Sequence, residues 1–125
     1  MFENLQVLSR IERDKEISKE VKKLEKIFKN VEADKVKLVQ GLIENAAFLR
    51  VTLYELREIM LETGTIENFK NGSQEMLREH PAMKNYSTLL KNYTTIMKQL
   101  FDVLPNGGAG TAEKDEFLAF IKNSK

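Results

Sequence analysis

The chain has 125 residues, enough for one domain around one modest core. Apolar residues make up 42% and charged residues 31%, which excludes wholesale disorder. There is no cysteine, which excludes a disulfide framework, a thiolate nucleophile and a cysteine zinc site. Net charge is +1, so any surface for a polyanion must be local. Residues 1–31 hold eight Lys/Arg against six Asp/Glu, and residues 32–64 four against six, so the N-terminal third is the place to look. No apolar run approaches the roughly 20 residues needed to span a bilayer. Met1-Phe2-Glu3-Asn4 lacks the basic and apolar regions of a signal peptide. The expected compartment is the cytoplasm, with no membrane partner.

Scarce Pro and Gly favour a helical protein. Phe2, Leu5, Leu8 and Ile11 are spaced as a short helical stripe, and Ser9 with Glu12 suits a capping box. The apolar phase breaks across Arg13-Asp14-Lys15-Glu16. It resumes at Ile17, Val21, Leu24, Phe28 and Val31, predicting a helix over residues 14–29.

Asn30 suits the cap of a new helix, with Glu32 and Asp34 near its positive end. Val39, Leu42, Ala46, Leu49, Leu53, Leu56 and Met60 form a heptad-like seam. Val36, Ile43, Ala47, Tyr54 and Leu61 widen it. Gly64 is placed to end the helix, which is expected over residues 31–63. Asn71-Gly72 then predicts a two-residue hairpin loop, pairing Phe69 with Gln74 and Ile66 with Leu77. Strands so short are marginal alone, so packing on the helices or pairing with a neighbouring subunit must hold them. His80 and Pro81 read as the cap and first residue of another helix. Its stripe is Met83, Tyr86, Leu90, Tyr93, Met97, Leu100 and Leu104, and Pro105 ends it. Asn106-Gly107-Gly108-Ala109-Gly110 has linker composition. Thr111 is then expected to cap a last short helix, with Lys122 and Lys125 near its end.

These elements give a mainly α fold. A long antiparallel helical hairpin carries a short β-hairpin insert and is flanked by N- and C-terminal helices. Three segments follow: residues 1–30, a candidate DNA-facing segment; residues 31–105, an oligomerisation domain; and residues 106–125, a linker with a partner-binding helix.

No catalytic set is legible. His80 is the one histidine, and no nucleophile elbow, HExxH, P-loop or GxGxxG occurs. An imidazole without partners is ordinarily structural, and ligand-spaced clusters for a metal are missing. The chain is therefore read as a non-enzyme without a cofactor. One charge pattern stands out. Lys15, Lys19, Lys22, Lys26 and Lys29 recur at steps of 4, 3, 4 and 3, with Lys23 beside them. Such a ridge can follow phosphates. It can equally be a solvated face, because Glu12–Lys15, Glu16–Lys19 and Glu25–Lys29 have ion-pair spacing. The seam carries more apolar surface than one antiparallel partner covers. Subunit contacts are therefore expected through Val39, Leu42, Leu49, Leu53, Leu56, Met60, Tyr86, Tyr93 and Met97. Phe117, Leu118, Phe120 and Ile121 form an apolar cluster. They suit either a helix that docks in a partner's groove or one that folds back on its own core.

The helix ending at Glu62-Thr63-Gly64, the Asn71-Gly72 turn, "HPAMK" at residues 80–84 and the long helix closing at Leu104-Pro105 are a telling series. Together they resemble the middle of the phage terminase small-subunit family, over residues 31–105. The resemblance implies a ring-forming homo-oligomer that binds double-stranded viral DNA and stimulates the large ATPase and nuclease subunit during genome packaging. It further implies that the central helices build the ring, the N-terminal lysines meet DNA and the C-terminal cluster meets the large subunit. The rival reading is a helical adaptor or regulator with no nucleic-acid role.

Overall fold

A computed structural model describes residues 8–105 and 109–123. In chain order these form α1 (Arg10–Ile27), a single 3-10 turn (Ala33–Lys35), α2 (Val36–Thr63), β1 (Ile66–Asn71), β2 (Gln74–Glu79), α3 (Pro81–Val103) and α4 (Ala109–Lys122). The mainly α architecture with a β-hairpin insert is as expected. The apolar stripe at Phe2 and Leu5, the Asn106-Gly107-Gly108 part of the linker and Lys125 lie outside the described residues.

The Ser9–Glu12 capping box forms, but it opens α1 itself rather than a separate short helix. The apolar phase does break at residues 13–16, yet the helix runs through. Arg13 sits four residues before Ile17, on the inward side, and its guanidinium holds the Glu55 carboxylate with two bonds of 2.8 Å. An ion pair thus fills the place of an apolar contact. The chain leaves α1 at Phe28 and turns, with the Val31 N–H bonded to the Phe28 carbonyl at 3.2 Å. Glu32 is extended, so α2 begins at Val36 rather than at residue 31, and Asn30 caps nothing. Burial of Phe28 forces this reversal, because it seats the turn against the core.

α2 runs antiparallel to α1. Successive contacts Glu25–Gln40, Glu20–Arg50 and Arg13–Glu55 step backwards along one helix as they advance along the other. α2 ends at Gly64, whose φ of +84° is a conformation L side chains rarely adopt. α3 begins on the His80 cap, where Nδ1 accepts the Ala82 N–H at 3.0 Å, with Pro81 as its first residue. It stops at Leu104, held extended by the following Pro105. α4 starts at Ala109, two residues before Thr111.

The hairpin register differs from the expected one. Asn71 pairs with Gln74, so the loop is Gly72-Ser73, and Phe69 pairs with Met76 and Ile66 with Glu79. Gly72 has φ +65° and Ser73 does not share the positive sign. That matches a type II′ turn, with glycine first, rather than the type I′ turn that Asn-Gly favours. The shift moves each partner by two residues, so every side chain keeps its face.

The core lies where α1, α2, α3 and α4 converge. It contains Leu24, Ile27, Phe28, Val39, Ile43, Ala46, Met97, Leu100, Leu104, Phe117 and Phe120. Phe117 is fully buried, edge-on to Phe28 with ring centroids 5.5 Å apart. The opposite end, where α2 and α3 reach the hairpin, holds far fewer buried side chains.

Candidate nucleic-acid interface

α1 presents two unlike faces because its lysines and its core residues are out of phase. Leu24 is nine residues from Lys15, which is about 180° around the helix. Leu24 is fully buried, whereas Lys15, Lys19, Lys22, Lys23 and Lys26 are all exposed, as is Lys29 in the turn beyond the helix. From Lys15 to Lys26 the row runs roughly 16 Å along the axis.

The carboxylates expected to neutralise the row mostly face elsewhere. Glu12 belongs to the capping box: its side chain accepts the Ser9 N–H at 3.0 Å. Hydrogen bonding to Ser9 is the main reason its carboxyl lies below its usual range, with Lys15 adding a smaller attraction. Glu25 accepts from Gln40 of α2 at 2.9 Å. Only the Glu16–Lys19 pair forms as the spacing predicts, at 3.1 Å on the surface. Exposed pairs of this kind contribute about 0–1 kcal/mol. Lys22, Lys26 and Lys29 have no ion pair among the described residues.

Behind the row sits a buried charge cluster that periodicity did not reveal. The Glu20 carboxylate receives the Arg50 Nε at 2.8 Å and the Lys23 Nζ at 3.0 Å. Arg50 also donates to the Phe120 carbonyl at 2.9 Å and to the Tyr93 hydroxyl at 3.3 Å. Its Cζ lies 3.9 Å from the Phe120 ring centroid. One guanidinium thereby ties α1, α3 and α4 to α2. Two cations and one anion leave the cluster net positive. Burial raises the Tyr93 hydroxyl above its ordinary range, with Arg50 opposing the shift. A sequence signal for this cluster did exist. Arg50 follows Ala46 and Ala47 at helical spacing and Glu20 lies between Ile17 and Leu24, so both charges fall on inward faces.

The expected assembly residues sit largely inside one chain. Val39, Leu49, Leu53, Met60 and Met97 are buried, while Leu42 and Tyr93 pack against the core partly covered. Leu56 and Tyr86 are half-buried. The apolar surface left over belongs to other residues: Leu38 and Phe48 on α2, and Leu61, Ile66, Met76 and Leu77 around the hairpin. The C-terminal cluster divides. Phe117 and Phe120 fold back into the core, while Leu118 and Ile121 stay exposed.

An open cleft of about 430 Å³ lies at the foot of the hairpin, lined by Thr65, Ile66, Leu77, Arg78, Glu79 and Met83. Its lining has no nucleophile paired with a base. Among the described residues, no group of three His, Asp or Glu is placed to hold a metal, and no helix is long and apolar enough to cross a membrane. Compared with models of protein families, with curated proteins and with solved structures, the chain matches none.

Proposed function

We propose that the protein is a non-catalytic, DNA-binding component of viral genome packaging, of the terminase small-subunit kind, acting in the host cytoplasm. The observation that carries the nucleic-acid part is the lysine row on α1. Lys15, Lys19, Lys22, Lys23 and Lys26 are exposed on α1 and Lys29 in the turn beyond it; Glu16 and Glu20 pair with Lys19 and Lys23, while Glu12 and Glu25 bond to Ser9 and Gln40. Lys22, Lys26 and Lys29 have no carboxylate partner among the described residues, so this side carries an excess of positive charge. Lysines spread along roughly 16 Å of helix can neutralise several backbone phosphates of a duplex, each contact releasing counterions.

The same reading assigns the protein a self-assembled state and a large ATPase and nuclease subunit as partner. Assembly then runs through the apolar surface that remains exposed, not through the seam that α1 and α3 cover. For the large subunit, Leu118 and Ile121 are the accessible part of the C-terminal cluster. The test is retention of duplex DNA at low salt by the intact protein, compared with a variant carrying Gln at Lys15, Lys22, Lys26 and Lys29. Retention by the first and loss by the second supports the reading. No retention by either favours the helical adaptor.

A further inference from the structure

We infer that the β-hairpin is an intermolecular pairing element, in which β1 of one copy adds to β2 of a second copy, head to tail. The inference deepens the assembly half of the proposed function and rests on it. Among the described residues the sheet has two strands, so each strand has one edge that no other described strand covers. Isolated two-stranded sheets are marginal in water. Here β2 is exposed along its whole length, with Met76 and Leu77 at 60% and 74% exposure, and Ile66 on β1 is 60% exposed. Among the described residues no helix covers β2.

Open edges are ordinarily blunted by proline, by bulges or by charged side chains, which oppose a new strand where like charges meet. Neither strand contains a proline, and their pairing is one-to-one from Ile66–Glu79 to Asn71–Gln74, without a bulge. The charges alternate instead. Glu67 faces Arg78, with 2.6 Å between carboxylate and guanidinium, and Lys70 faces Glu75 at 3.3 Å. The same register repeated across the open edge sets Glu67 against the neighbour's Arg78 and Lys70 against its Glu75. The backbone agrees. A two-residue loop closes on a pair that exchanges both hydrogen bonds, here Asn71 and Gln74, so alternate residues point their N–H and C=O outward. These are Ile66, Asn68 and Lys70 on β1, and Glu75, Leu77 and Glu79 on β2. In the repeated register Asn68 lies opposite the neighbour's Leu77, and both present outward groups. The edges are therefore complementary in charge and in hydrogen bonding to a second copy of this hairpin.

The test uses two full-length variants. Asn68→Pro removes one outward N–H from β1, and Leu77→Pro removes one from β2. Neither N–H serves the intrachain ladder, and proline is tolerated at such edge positions. Association is followed by light scattering over a concentration series, with helix content checked by circular dichroism. Each variant alone is expected to raise the association midpoint at least about tenfold. An equimolar mixture is expected to form a 1:1 pair and nothing larger, because one intact β1 edge and one intact β2 edge remain between them. A misfolded hairpin gives no such rescue. Wild-type association that N68P and L77P leave unchanged, or a mixture that stays monomeric, overturns the strand pairing while leaving assembly intact. A wild-type chain that is monomeric throughout overturns both.

Discussion

Arg50 of α2 and Glu20 of α1 meet at 2.8 Å, with side chains only 11% and 12% exposed. Removing one partner of a buried pair strands the other, at a cost of about 3–5 kcal/mol. Arg50→Met also loses the bond to the Phe120 carbonyl and the contact with its ring, so α4 loosens. Urea unfolding is expected to show a loss in that range. The double variant Glu20→Leu with Arg50→Met is expected to recover most of it, because two apolar side chains leave no buried charge unpaired.

Phe117 and Leu118 are neighbours with opposite surroundings: one is fully buried, the other 51% exposed. Phe117→Ala is expected to cost about 3–5 kcal/mol through lost burial and the cavity left against Phe28 and Phe101. Leu118→Ala is expected to stay within about 0.5 kcal/mol. Paired denaturation curves check both. A large effect at Leu118 contradicts the described placement of α4.

The elements and their order were legible because their signals are local. The 3-and-4 spacing, the Ser9–Glu12 box, Gly64 and the His80-Pro81 start each act within a few residues. The misread features depend on long-range partners. Arg13 broke the apolar phase on paper, yet Glu55, 42 residues away, completes the helix face. The seam of α2 looked like an excess of apolar surface because α1 and α3 both cover it. The hairpin loop formed one residue later than Asn-Gly propensity indicates, since glycine at the first loop position satisfies a type II′ turn equally well. For the candidate site, the lysine row was visible in the sequence. That Glu12, Glu20 and Glu25 also bond to Ser9, Arg50 and Gln40 was not, because those contacts depend on the packing of α2 against α1 and on the helix cap.

The imidazole of His80 is 5% exposed and caps α3 through Nδ1. His80→Ala is expected to cost about 1 kcal/mol, the usual loss for a missing cap. His80→Asn is expected to restore most of it, since an amide oxygen accepts the same N–H. Thermal unfolding of the three proteins, read as melting temperature, checks the order.

Tyr93 supplies a pH signature. Its hydroxyl pKa is raised in the folded protein, first by burial. The unfolded chain therefore releases this proton at lower pH than the native one. The stabilisation is present below the ordinary tyrosine pKa of about 10 and is lost as pH rises through the native value. Tyrosinate absorbance during alkaline titration is expected to include a late phase from Tyr93, and Tyr93→Phe is expected to remove it.

The salt dependence of duplex-DNA binding tests the central claim most directly. Log affinity against log salt is expected to fall linearly, and substituting Gln at Lys15, Lys22, Lys26 and Lys29 is expected to flatten the slope by about 3 to 4. Melting temperature should barely move, because all four side chains are exposed. An unchanged slope in that variant, with the fold intact, contradicts a phosphate-facing α1.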